Sequence, residues 1–169
     1  MNHRYLVALG SNRPHGGYGY PHGVVRAAME ELSSLGTVTK RSPVIDSAAM
    51  GAAQRMFANA VIELESELPP PELLRGLKQI EREFGRRRGQ AWGDRVLDLD
   101  IVLWSGGIWH SRGLQIPHHG LAERRFVLDP AMLIADDWHV TSGGLKLRHL
   151  HARLTRSRPL PRDPLWSGR

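Results

Sequence analysis

The sequence predicts an α+β fold: one antiparallel sheet with two helices on one face, in the order β-α-β-β-α-β. Three observations predict it. Short aliphatic runs of strand length alternate with two longer runs whose apolar residues recur every three or four positions. The breaks between runs fall at glycine or proline, notably Gly10, Gly36, Pro69-Pro70-Pro71 and Gly85. Two strand-like runs follow one another in the middle of the series, which is the split βαβ, ferredoxin-like arrangement. Such a fold packs both helices against one sheet face and leaves the other free to carry a site.

Residues 4–9 (RYLVAL) form the first expected strand, stopped by Gly10. The Pro/Gly/Tyr-rich stretch 13–23 reads as a mobile loop. Val25, Ala28, Met29, Leu32 and Leu35 then stand at helical spacing, with Gly36 as the stop. Residues 37–45 (TVTKRSPVI) predict a second strand interrupted at Pro43, and a loop of small residues, 47–54, leads to a strand over 57–65. The triple proline opens a helix whose Leu73, Leu77, Ile80 and Phe84 make one apolar stripe. An arginine-rich loop over 85–95 precedes the strand 96–103. Beyond it the expected elements are a short strand near 107–110, a turn at Pro117 and short helices near 119–125 and 130–135. Residues 1–150 read as one domain and 151–169 as a basic, Arg/Pro-rich C-terminal extension with little order.

The 169 residues contain no cysteine, which excludes disulfide and thiolate chemistry. No apolar run approaches the roughly 20 residues of a membrane span. The first residues run straight from a short apolar stretch into Gly10-Ser11-Asn12, a strand and not a signal peptide. A soluble cytoplasmic protein is therefore expected. Net charge is +6 and the pI about 10.5. Only Lys40, Lys78 and Lys146 are lysines, the rest of the 23 basic residues being arginine. The guanidinium fork suits phosphate oxygens better than a point charge does. Composition alone does not separate a nucleotide enzyme from a nucleic-acid binder.

The placement of charge is more informative. Side chains alternate along a strand, so Leu97, Leu99, Ile101 and Leu103 share one face while Asp98 and Asp100 share the other. Four aliphatics in register make the helix-packed face, and both carboxylates project from the open one. By strand rise their Cα atoms lie about 6–7 Å apart. Two acceptor-only groups so close repel unless a cation sits between them. A hard divalent ion such as Mg²⁺, sharing its shell with phosphate oxygens, suits that pair. A solvated strand edge is the plainer explanation, but strands disfavour aspartate.

Immediately before this strand, Arg86, Arg87, Arg88 and Arg95 crowd together, with Gly85, Gly89 and Gly93 between and around them. They could neutralise a polyphosphate and hold its ends in line, and Trp92 could stack on a flat ring or exclude water. By the same parity Phe57 and Asn59 share the face of the aspartates, an aromatic and an amide fit for recognising a base-like ring. Residues 116–126 (IPHHGLAERRF) add His118, His119, Arg124, Arg125 and Phe126. Adjacent histidines cannot share a helix face, so a His and an Arg lining a phosphate site is preferred to zinc ligation. No GxxxxGK[ST] pattern is present, so ATP, if used, is not held by a P-loop.

Four segments in order carry a resemblance: ALGSN at 8–12, FANAVIELE at 57–65, QIEREFGRRRGQAWGDRVLDLDIVLW at 79–104 and IPHHGLAERRFVLDP at 116–130. Across residues 4–136 the chain resembles the 6-hydroxymethyl-7,8-dihydropterin pyrophosphokinases. The resemblance implies transfer of diphosphate from Mg-ATP to that pterin, with release of AMP, in folate synthesis. It implies that Asp98 and Asp100 bind two Mg²⁺ ions bridging the ATP phosphates, with Asp100 nearest the pterin hydroxyl. Arg86, Arg88 and Arg95 would contact phosphates, Arg86 and Arg95 as catalytic groups, with Trp92 closing over them. Lys78 or Gln79, Glu81, Ile101, His118 and Arg124 would help hold ATP. Phe57, Asn59 and Phe126 would frame the pterin beside the loop from Ser47 to Met50. The implied partners are ATP and a dihydropterin, with no nucleic acid and no membrane, and the implied state is a monomer.

The chain departs from the family pattern at Asp94, where proline is common, at His119, where tyrosine is common, and in the loops 13–23 and 47–54. These keep open a degenerate homologue that binds nucleotide without turnover. A small basic RNA-binding module on a ferredoxin-like sheet is the other alternative. It needs several aromatics on the open face, where only Phe57 is expected.

Overall fold

The computed structural model describes residues 2–47, 56–85, 96–140 and 144–156. Its elements are β1 (His3–Ser11), α1 (Pro21–Glu31), β2 (Thr37–Arg41), β3 (Ile45–Ser47), β4 (Phe57–Ser66), α2 (Pro70–Glu83), β5 (Asp98–Trp104), β6 (Trp109–Ser111), β7 (Leu114–Ile116), α3 (Arg125–Ala135) and α4 (Leu147–Thr155). The main sheet runs β2-β4-β1-β5, with β3 also paired to β4, and these pairings are antiparallel. β6 and β7 make a separate hairpin.

The interruption expected at Pro43 is the gap between β2 and β3. Ser42 bridges it by donating its N–H to the Val61 carbonyl at 2.9 Å and accepting the Val61 N–H on Oγ at 2.9 Å. Proline, with no N–H, cannot continue that ladder. Gly36 ends the α1 segment for a packing reason: a Cβ there would lie 2.1 Å from the Glu65 carbonyl oxygen.

The first core lies where the sequence places it. Tyr5, Val7 and Leu9 of β1, Ala58, Ala60, Ile62 and Leu64 of β4, and Leu97, Leu99 and Ile101 pack against α1 and α2. The α2 stripe Leu73, Leu77, Ile80 and Phe84 is buried there. Each such aliphatic contributes about 1.5–3 kcal/mol on burial.

The opposite face corrects the expectation that it is free. Leu6, Val61, Val102 and Leu103 pack under Val127, Leu128, Ala131 and Ala135 of α3, with Trp138 and Leu147 completing a second core. Leu103 therefore does not share a face with Leu99 and Ile101. The β1–β5 register slips between Leu6 and Val7, so that Val7 faces Ile101 and Leu6 faces Leu103. Val102 is the extra residue of this bulge, and a bulge reverses the alternation beyond it.

Two further expectations change. In place of helices near 119–125 and 130–135 there is one helix, α3, which carries Pro130 inside it. Residues 118–123 form hydrogen-bonded turns, Leu121 N–H to His118 O and Glu123 N–H to Gly120 O. A further helix, α4, spans Leu147–Thr155. That helix packs Leu147, Leu150 and Leu154 on the second core and is tied to α3 by His151 Nε2 to Asp129 Oδ1 at 2.9 Å. The stretch 13–23 contains a closed turn, His15 N–H to Gly19 O at 2.8 Å, whose Tyr18 stacks on Phe84 with ring centres 4.9 Å apart.

Candidate active site

Among the described residues, α3 and α4 cover one end of the second sheet face, and the candidate site residues stand at the other. One row across the sheet reads Ile45, Asn59, Gly10, Asp98, and the next reads Val61, Ala8, Asp100. Directly paired residues share a face, so the aspartates, Asn59 and the small side chains of β1 look the same way. Ala8 and Gly10 make a low floor between the carboxylates and the amide. A Cβ at Gly10 would stand 3.3 Å from Asn59 Oδ1, tighter than ordinary contact.

Asp98 and Asp100 are half-buried. Around Asp100 two basic side chains stand close without a direct bond: Lys78 Nζ at 4.0 Å from Oδ1 and His118 Nε2 at 3.9 Å from Oδ2. A cleft beside it is lined by Ala8, Asp100, Val102, His118, Leu121, Arg124 and Val127. His118 is placed by its own backbone, which donates to the Val102 carbonyl at 3.0 Å. Its ring is fixed by Nδ1, which accepts the Gly120 N–H at 3.1 Å. In the neutral ring the proton then belongs on Nε2, facing Asp100. Burial lowers the His118 pKa below the usual 6.5; Asp100 opposes this, His119 and Arg124 reinforce it, and Asp98 opposes it more weakly. Arg124 stands at the start of α3, its guanidinium folded over Gly120 and 5.9 Å from the centre of the Phe126 ring.

On the other side of Gly10, Asn59 is buried and donates from Nδ2 to Ser47 Oγ at 2.7 Å. Ser47 pairs with Phe57 across β3 and β4. Asp98, Asp100, Lys78, His118, Arg124, Asn59, Ser47 and Phe57 thus gather at one end of the sheet, with Phe126 in the first turn of α3.

Three expected contacts lie elsewhere. The Ile101 side chain is buried in the first core, so any contact with ATP falls to its backbone. Glu81 is fully buried and accepts the Leu99 N–H on Oε1 at 2.8 Å. Gln79 is exposed and engaged within α2, donating to Glu83 at 2.8 Å and accepting from Arg82 at 2.5 Å. Met50, Arg86, Arg88, Trp92 and Arg95 lie outside the described residues. Sequence reasoning missed Ala8, Gly10, Leu121 and Val127. Alternation within ALGSN, applied as it was to the aspartates, points to the first two as small residues on the site face.

Among the described residues no group of three or more His, Cys, Asp or Glu side chains could hold a metal ion by themselves. Two carboxylates side by side on the site face fit Mg²⁺, which binds through one or two carboxylates and keeps water or substrate phosphate for the rest. The fold is a ferredoxin-like sheet with two carboxylates, basic side chains and an amide gathered at one end of one face.

The family model for 7,8-dihydro-6-hydroxymethylpterin-pyrophosphokinase matches residues 6–136, and the chain belongs to that family. It is 38% identical over 134 residues, 78% of this chain and 81% of the relative, to the 2-amino-4-hydroxy-6-hydroxymethyldihydropteridine pyrophosphokinase of Haemophilus influenzae. To the enzyme of the same name from Pseudomonas aeruginosa it is 37% identical over 153 residues, 89% of each chain. To that of Bacillus subtilis it is 38% identical over 133 residues, 77% of each.

Proposed function

We propose that this chain transfers diphosphate from ATP to the hydroxymethyl oxygen of 6-hydroxymethyl-7,8-dihydropterin at the uncovered end of the sheet, releasing AMP. The pyrophosphokinase activity and its two substrates follow from the family. The observation that supports this location is the pair Asp98 and Asp100, aligned in register with Gly10 and Ala8 beside His118 and Arg124.

In this reading the pterin oxygen attacks the β-phosphorus in line, a new O–P bond forms, and AMP leaves with the bridging oxygen. Mg²⁺, as two ions held by Asp98 and Asp100, supplies charge neutralisation for the phosphate oxygens. Asp100 stands where the hydroxyl proton can be taken up. Lys78, His118, Arg124 and the arginines 86, 88 and 95 hold the phosphates, with Glu81 and the Ile101 backbone behind them and Trp92 as cover. The pterin lies against Phe57 and Phe126, its polar edge read by Asn59, Ser47 and the loop through Met50. Asn59 is already oriented by Ser47, so its amide need not reorganise on binding.

The same reading takes the chain as a cytoplasmic monomer without nucleic acid. No described helix is long and apolar enough to cross a membrane, and two carboxylates on the site face repel a phosphate backbone. The test is AMP formation from ATP with Mg²⁺ and the pterin, against mixtures lacking each. AMP only in the complete mixture is expected. No AMP from a folded protein that still binds ATP would point to a degenerate homologue.

A further inference from the structure

β5 is the edge strand of the main sheet, and an edge presents unpaired N–H and C=O groups that must be covered. At Leu99, between the two aspartates, the cover is a pair of side chains from α2. Leu99 donates its N–H to Glu81 Oε1 at 2.8 Å. Its carbonyl accepts from Lys78 Nζ at 2.9 Å. Lys78 also donates to Glu81 Oε1 at 2.5 Å. Side chains i and i+3 of one helix turn thus imitate a neighbouring strand for one residue. Glu81 is fully buried while Lys78 keeps 28% of its side chain exposed. The ammonium stands 4.0 Å from Asp100 Oδ1, close enough to close on it with a small rotation.

An ammonium bonded to Asp100 would compete with a divalent cation for the same oxygen. What restrains it is the buried carboxylate of Glu81 on its other side. We propose that Lys78 and Glu81 are positioning residues, a clamp on the edge of β5 that fixes Leu99 and holds the Lys78 ammonium off Asp100, leaving that carboxylate able to take a divalent cation. This rests on reading Asp98 and Asp100 as the metal pair, and it gives Glu81 a role that needs no contact with ATP.

The clamp is tested with Mn²⁺ as a paramagnetic probe, its free concentration followed by electron paramagnetic resonance, together with amide hydrogen exchange at Leu99. In Glu81→Gln the amide oxygen can still accept the Leu99 N–H, but Lys78 loses its counter-charge and turns to Asp100. Mn²⁺ affinity in the absence of ATP is expected to fall about tenfold. Adding Lys78→Gln removes the competing charge, and the double variant is expected to regain most of the Mn²⁺ affinity. A purely structural role predicts the reverse, with the double variant weaker than the single. In Glu81→Ala the Leu99 amide is expected to exchange faster. Should that variant not fold, the Gln pair still decides. Unchanged Mn²⁺ affinity in folded Glu81→Gln, or no recovery in the double variant, overturns the clamp. Weak Mn²⁺ binding by the wild type that is unaltered in Asp98→Asn and Asp100→Asn removes the metal reading on which it rests. Absence of AMP formation would remove the assigned reaction and leave the clamp to the Leu99 and Mn²⁺ results.

Discussion

The two ends of one sheet face are built from the same three strands and do opposite things. At the covered end, β1, β4 and β5 present Leu6, Val61, Val102 and Leu103 to α3. At the other end, a few residues along, the same strands present Gly10, Asn59 and Asp98. The first set excludes water and carries stability; the second has little apolar area to bury. A helix laid over Asn59 and Asp98 would cost the desolvation of an amide and a carboxylate, and among the described residues no helix covers them. The sequence of the strands thus decides both where α3 rests and where the polar side chains of the proposed site stand. Breaking one end should leave the other standing.

The largest expected effect is on chemistry. Asp98→Ala and Asp100→Ala should each lower turnover by at least about 10³-fold, the scale on which a preorganised electrostatic group acts at developing charge. Their thermal midpoints should stay near that of the wild type, because both carboxylates are half-buried at an open end. Steady-state AMP release and a thermal melt check the two halves. Near-normal turnover in both variants would remove this site from consideration.

At the covered end the sign is reversed. Leu6 is fully buried against α3, and Leu6→Ala should cost about 2–5 kcal/mol in urea unfolding. Turnover per folded molecule should remain within about threefold, as for separated, independent sites. If Leu6→Ala abolished catalysis at full folding, the two ends would be coupled and the division between them would fail.

Much of this division was legible in the residues. Period-two alternation placed Asp98, Asp100, Asn59 and Phe57 on one face because β4 and the first half of β5 are regular. It failed at Leu103 because a bulge is a property of two strands in register, and one strand read alone gives no sign of the extra residue at Val102. α3 runs on through Pro130, although proline lacks the N–H a helix interior uses, because Pro130 is buried in the packed helix. The short C-terminal helix straddles the start of the Arg- and Pro-rich stretch from residue 151, and its Leu147, Leu150 and Leu154 find their partners in the second core with α3. The resemblance implies that Glu81 helps hold ATP. Only the position of the β5 edge beside α2 shows that its carboxylate is occupied with the Leu99 backbone.

The smallest expected effect lies at the border between the two ends, where His118 is packed beside Val102 yet faces Asp100. Burial lowers its pKa in the folded protein, so the unfolded chain, with an ordinary imidazole near 6.5, takes up a proton first as pH falls. Unfolding is then favoured by acid: the contribution is fully present above the unfolded pKa and is lost progressively as pH drops from about 6.5 toward the lower folded value. Urea unfolding of the metal-free protein at pH 7.5, 6.5 and 5.5 reads this directly. Wild type should lose stability across that range, and His118→Gln, which has nothing to protonate there, should lose less. The opposite order would mean that the Asp100 carboxylate, and not burial, governs the ring. In that case the imidazolium would be the form held beside Asp100, and the border would belong electrostatically to the open end of the face.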